Sequence, residues 1–133
     1  TALGAIPDAS VFEGMEVPEG AMYFVALAKD LLAVYRAKGY EPMNFFAPLS
    51  RLKELDALPT AEAINFVIGQ GREMREKGNS GHPSMYEDVL QRRKTEVDFM
   101  LAPYLAAAEE LAIDVPTLRV AYQIIKTVDR FLA

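Results

Sequence analysis

Apolar residues recur every three or four positions along almost the whole chain, and no stretch alternates residue by residue as a half-buried strand would. Such a period buries a continuous stripe only as an α-helix, so the pattern confines the chain to an all-α fold. The clearest case is PEGAMYFVALAKDLLAVYRAKGY. Pro18 suits a first turn, Phe24, Leu27, Leu31, Val34 and Tyr35 form the stripe, and Lys38 with Gly39 gives a basic end and a stop. Thr60 is placed to cap a second helix that ends at Arg72, Arg75, Lys77 and Gly78. Its interior Gly69 and Gly71 predict close approach by a neighbouring helix. Between these helices Pro42, Pro48 and Pro59 reduce 40–58 to a connector with one short helix near Ser50 to Leu55. Two further helices are predicted at about 85–93 and 96–112, the second kinked by Pro103. A final helix from Pro116 turns Leu118, Tyr122, Ile125, Val128 and Leu132 inward. Tyr86, Phe99, Met100 and Tyr104 fall at helical spacing and are read as core. Met43, Phe45 and Phe46 read equally as core or as an apolar patch that meets a partner.

A chain of 133 residues, 51% hydrophobic, can bury one core, so a single helical domain over 1–133 is expected. Fourteen basic residues against 19 acidic ones leave a net charge of −5, with no basic stripe, which argues against nucleic acid as a partner. No apolar run approaches the ~18 residues of a membrane span, and TALGAIPDAS has no charged segment leading into an apolar core, so neither a membrane protein nor a secretory precursor is expected. The lack of cysteine excludes disulfides, thiolate catalysis and cysteine metal sites, and is in keeping with a cytoplasmic location. His82 is the only histidine, so no metal site is expected either. The first residue is not Met, which suggests a piece of a longer protein.

The residue types that carry chemistry crowd into HPSMYEDVLQRRKTEVDF, residues 82–99. Structurally, Ser84 with Glu87 forms a capping box, and Thr95 is placed to cap the next helix with Glu96 and Asp98 near its positive end. Functionally, Ser84 at a helix N-terminus suits a small carboxylate, and Glu96 suits hydrogen bonds from hydroxyls. The two readings are compatible.

The order Gly81, Pro83, Ser84, Met85, then Asp88, then Arg93 (or its neighbour Arg92), Thr95, Glu96 and Asp98 resembles the C-terminal domain of the ketopantoate reductases. LAPYLAAAEELAIDVPTLRVAYQIIK is similar to that family's long helix, its l-G-I-x-x-P-T turn and its last helix. The resemblance is strong over 81–126 and loose over 1–39, and 40–78 fits poorly. It implies a helical domain like that of 6-phosphogluconate dehydrogenases, following a Rossmann domain, with the active site in the cleft between them. It also implies reduction of a 2-oxo acid, ketopantoate, to pantoate with NADPH in pantothenate and coenzyme A biosynthesis, by a homo-oligomer. Ser84 matches a substrate-binding serine, and Glu96 matches a glutamate near the substrate hydroxyl and the nicotinamide ribose. Asp88, Arg93, Thr95 and Asp98 match supporting motif residues that hold the helix ends together.

Two departures accompany the resemblance. The sequence has no G-x-G-x-x-G, and the family's general-acid lysine has no counterpart in it, so this polypeptide alone is expected to be inactive, with NADPH bound mainly by an N-terminal domain outside it. Asp8, in PDA, stands where the family has a substrate-contacting asparagine in P-N-G. A carboxylate there repels an acidic substrate, which leaves the identity of the oxo acid open. The competing readings are a related dehydrogenase acting on a different small acid, and a free-standing helical module for dimerisation or binding.

Overall fold

A computed structural model describes residues 11–41, 51–78, 88 and 91–132, with backbone alone at 11 and 12. No strand occurs among them, and the regular elements are helices: α1 (Val11–Glu16), α2 (Pro18–Ala37), α3 (Leu52–Ala57), α4 (Thr60–Glu76), α5 (Val97–Met100), α6 (Ala102–Glu110) and α7 (Pro116–Phe131). The all-α expectation holds, and α2, α4 and α7 start and stop within a residue or so of their sequence signals. Gly39 and Gly78 sit at φ 86° and 77°, the left-handed conformation that ends α2 and α4. The predicted helix at 85–93, with Tyr86, lies mostly outside the described residues, as do Met43, Phe45 and Phe46.

The long helix α2 is shared by two cores, which is why its buried residues do not form one stripe. Ala21 and Val25 pack with Met15, Leu55, Ala63 and Val67 of α1, α3 and α4. Leu27 and Val34 pack with Val97, Leu101, Ala108, Val115, Leu118, Ala121 and Ile125 from the C-terminal half. Burying an apolar face on each side of α2 joins the halves into one helical domain.

Helix ends are capped across the fold more than by their own sequence neighbours. Pro59 rather than Thr60 is the N-cap of α4, and it offers no side-chain bond; Thr60 is the first helical residue, so the expected cap is corrected. At α7 the N-cap Val115 likewise offers none, and Asp30 of α2 instead accepts the Leu118 N–H at 3.0 Å. On the preceding residue of α2, Lys29 donates to the carbonyls of Asp56 (3.3 Å) and Leu58 (2.9 Å) at the C-terminal end of α3, and Arg36 pairs with the Asp56 carboxylate.

The predicted 96–112 helix is two helices, broken at Leu101 with Pro103 in the first turn of the second. The break sets the phase. Val97, Leu101 and Ala108 face the core, while Phe99 (85% exposed), Met100 (44%) and Tyr104 (38%) face outward, which corrects their reading as core.

The helix glycines also divide. A Cβ on Gly69 would meet nothing within 4 Å, so that glycine does not mark close packing as predicted. A Cβ on buried Gly20 would overlap the carbonyl oxygen of Gly14, whose carbon lies 3.1 Å away, so this glycine is what lets α1 lie against α2. Urea unfolding should separate the two: Gly69→Ala is expected to stabilise by about 0.5–1 kcal/mol, and Gly20→Ala to destabilise by about 1–3 kcal/mol. Equal shifts in midpoint would contradict this packing.

Candidate functional site

The motif residues that the structure describes gather where the turn 91–98 crosses the C-terminal half of α7. Arg92 takes a left-handed conformation, φ 55°, and across it the Arg93 N–H donates to the Asp88 carbonyl at 2.7 Å. That six-residue closure is the signature of a Schellman C-cap, and Asp88 itself has helical backbone. The Arg93 guanidinium then donates to Asp88 Oδ1 through Nη2 (3.1 Å) and Nε (3.3 Å). Arg92 reaches the other way, to the Phe131 carbonyl at the end of α7, 3.2 Å.

Thr95 behaves differently from its predicted role as a helix cap. Its N–H donates to Asp129 Oδ1 at 2.8 Å and its hydroxyl to Oδ2 at 2.9 Å, so the side chain is committed to α7, and Glu96 is the N-cap of α5. Asp129 is only 6% exposed. Hydrogen bonds to a buried charged group contribute about 1.5–3 kcal/mol each, so this is the strongest polar tie in the region. Val97 follows with its side chain fully buried in the second core. Asp98 is anchored again to α7: it accepts from the Tyr122 hydroxyl and from Lys126 Nζ at 2.7 Å.

Glu96 therefore stands among three tethered neighbours; its carbonyl accepts the Met100 N–H at 2.9 Å, while its exposed side chain makes no hydrogen bond or ion pair among the described residues. Its backbone is fixed, and among the described residues its carboxylate is uncommitted. An acceptor-only group of that kind fits hydroxyl donors such as a sugar ribose or a 2-hydroxy acid, and it offers no proton for a developing alkoxide. A cleft of about 540 Å³ against the same turn is lined by Lys94, Thr95, Asp98, Lys126, Asp129 and Arg130, and Glu96 is not among its lining residues. Both of its acids are engaged as described above, whereas Lys94 and Arg130 make no ion pair among the described residues, so the cleft wall is net cationic.

Ser84 and Asp8, the other two substrate-facing expectations, lie outside the described residues. Sequence reasoning missed Asp129, Lys126 and the hydroxyl of Tyr122. For Asp129 a signal was present: a carboxylate one helical turn beyond Ile125, on the stripe that leads to Leu132.

The Asp98 cluster has a checkable electrostatic signature. The hydrogen bond from Lys126, then that from Tyr122, holds the Asp98 carboxyl below the usual carboxylate range. Asp98 in turn raises both Lys126 and Tyr122 above their ordinary values. A depressed carboxyl contributes stability above its ordinary pKa and loses it as pH falls through the folded value; the raised lysine and tyrosine contribute below theirs and lose it in alkali. The cluster's contribution is thus level at neutral pH. In a carboxyl-detected NMR titration Asp98 is expected to protonate below an ordinary aspartate, and Lys126→Met to move it upward; an unmoved midpoint would contradict the pairing.

A family model described as "Ketopantoate reductase PanE/ApbA C terminal" matches residues 1–129. The match runs through 40–78, the stretch whose resemblance is weakest by eye. No curated protein matches the chain, and neither does any solved structure.

Proposed function

Because the chain belongs to the ketopantoate reductase C-terminal family, we propose that it is the helical half of an NADPH-dependent 2-oxo acid reductase, with ketopantoate as substrate and pantoate as product. The observation that carries this reading is the exposed Glu96 carboxylate, unengaged among the described residues, on a backbone pinned by Asp129, Val97 and Asp98. Such rigidity with an uncommitted end suits a group whose partner is a ligand.

In this reading NADPH supplies the hydride, held mainly by a nucleotide-binding domain outside this sequence. Glu96 accepts hydrogen bonds from the substrate hydroxyl side and from the ribose, and so sets their register. Ser84, in the same motif, donates to the substrate. Protonation of the nascent alkoxide falls to a lysine of the whole protein, since Glu96 and Ser84 suit orientation. The net cationic cleft lined by Lys94, Thr95 and Asp98 of the same turn supports an acidic substrate. Asp8, if it faces the substrate, works against that charge preference, and it is the residue that favours a second reading, a related dehydrogenase acting on a different small acid. A homo-oligomer and a cytoplasmic setting accompany the reading; no helix among the described residues is long and apolar enough to cross a membrane.

The test is NADPH oxidation by the whole protein with ketopantoate. Turnover supports the reading, and its absence while another 2-oxo acid is reduced would move the substrate to the second. For Ser84→Ala the expected result is mainly a raised KM, by about tenfold, the loss of one hydrogen bond to a charged group; an unchanged KM would leave Ser84 a cap only.

A further inference from the structure

We propose that Asp129 is a positioning residue for Glu96: its buried carboxylate holds the backbone from which Glu96 reaches the ligand. The inference rests on the functional reading above and extends it to a residue outside the 81–98 motif.

The geometry is specific. Asp129 uses both oxygens on one residue, taking the Thr95 N–H at 2.8 Å and the Thr95 hydroxyl at 2.9 Å. Thr95 is bonded to Glu96, so two bonds from one carboxylate fix both the peptide direction and the side-chain rotamer immediately before it. Val97, on the other side, is locked by apolar packing in the second core. The second polar clamp, at Asp98, is a weaker candidate: its side chain is 61% exposed and solvent screens its pair with Lys126. Asp129, at 6%, is desolvated, and removing it leaves a partly buried N–H without an acceptor. Both oxygens of Asp129 are engaged by Thr95, and since the two residues also line the cleft, the double variant with Glu96→Ala separates an effect passed through Glu96 from one exerted directly on a ligand.

The experiment uses the whole protein, with ketopantoate and NADPH, and compares Asp129→Leu, Asp129→Asn, Glu96→Ala and the double variant Asp129→Leu with Glu96→Ala. Leucine fills the space and removes both acceptors, and is expected to lower kcat/KM by about tenfold, divided between kcat and KM as for Glu96→Ala. Asparagine keeps an acceptor for the N–H and can reorient against the hydroxyl, so activity should stay within about threefold of wild type. The double variant should be no worse than Glu96→Ala alone, because the positioned group is already gone. Losses that multiply in the double variant, or a wild-type kcat/KM for Asp129→Leu, overturn the positioning role while leaving the functional reading intact. A wild-type kcat/KM for Glu96→Ala overturns the functional reading and the positioning role with it. Should Asp129→Leu not fold, Thr95→Val, which keeps the N–H bond and removes only the hydroxyl one, carries the same comparison with the same two outcomes.

Discussion

Ile125→Ala is expected to destabilise the domain by about 2–5 kcal/mol, the range for emptying a large aliphatic site in a close-packed core. Ile125 is fully buried at the centre of α7, in the cluster that also holds Leu27 and Val34 of α2 and Val97 of the motif turn. The cavity would open where α2, α5 and α7 meet, and the neighbours that would have to collapse into it are themselves tethered. Asp30 fixes the start of α7 and Asp129 its end. The adjacent Ile124→Ala is the control: that side chain is 46% exposed, and the change should stay within about 0.5 kcal/mol. Chemical denaturation of both variants checks the pair, and similar losses for the two would contradict the phase of α7. Ile125 also lies between Tyr122, Lys126 and Asp129 on one helix, so the same substitution should loosen the anchors of the motif turn.

Much of the helical frame was legible in the sequence because a period of 3.6 is a local property. Pro18 and Gly39 bound α2, Pro116 starts α7, and the inward placing of Leu118, Ile125 and Leu132 follows from spacing alone. Periodicity says which residues share a face, however, and not which face meets the core. Phe99, Met100 and Tyr104 share one that points to solvent, because the chain breaks at Leu101 and Val97 takes the buried phase. Caps failed for a related reason. Thr60 and Thr95 have the right chemistry, but Thr95 finds Asp129, 34 residues away, and the first turn of α7 finds Asp30, 88 residues away. No local pattern encodes those pairings. Ala112 shows a further limit: it takes φ 54° at the end of α6, in the turn where the family motif has glycine, and a residue type alone gives no warning of a left-handed backbone. The site divides in the same way. Glu96 stood out by its motif, while Asp129, which holds the preceding residue, was missed, its one signal being a charge on an apolar stripe.

Glu96→Ala carries the central claim because the structure separates its two possible effects. The side chain is exposed and makes no hydrogen bond or ion pair among the described residues, so folding stability should change by no more than about 0.5 kcal/mol. A residue that only decorated the surface would be equally silent in catalysis. A residue that orients substrate and ribose loses interactions formed in the ternary complex, and kcat/KM should fall at least about tenfold, which is about 1.4 kcal/mol of transition-state stabilisation. The measurement is kcat/KM for ketopantoate-dependent NADPH oxidation by the whole protein and its Glu96→Ala variant, with unfolding midpoints taken on the same samples. A loss of tenfold or more at an unchanged midpoint is the expected result. An unchanged kcat/KM in an active, equally stable protein would contradict the assignment of Glu96 to the working cleft.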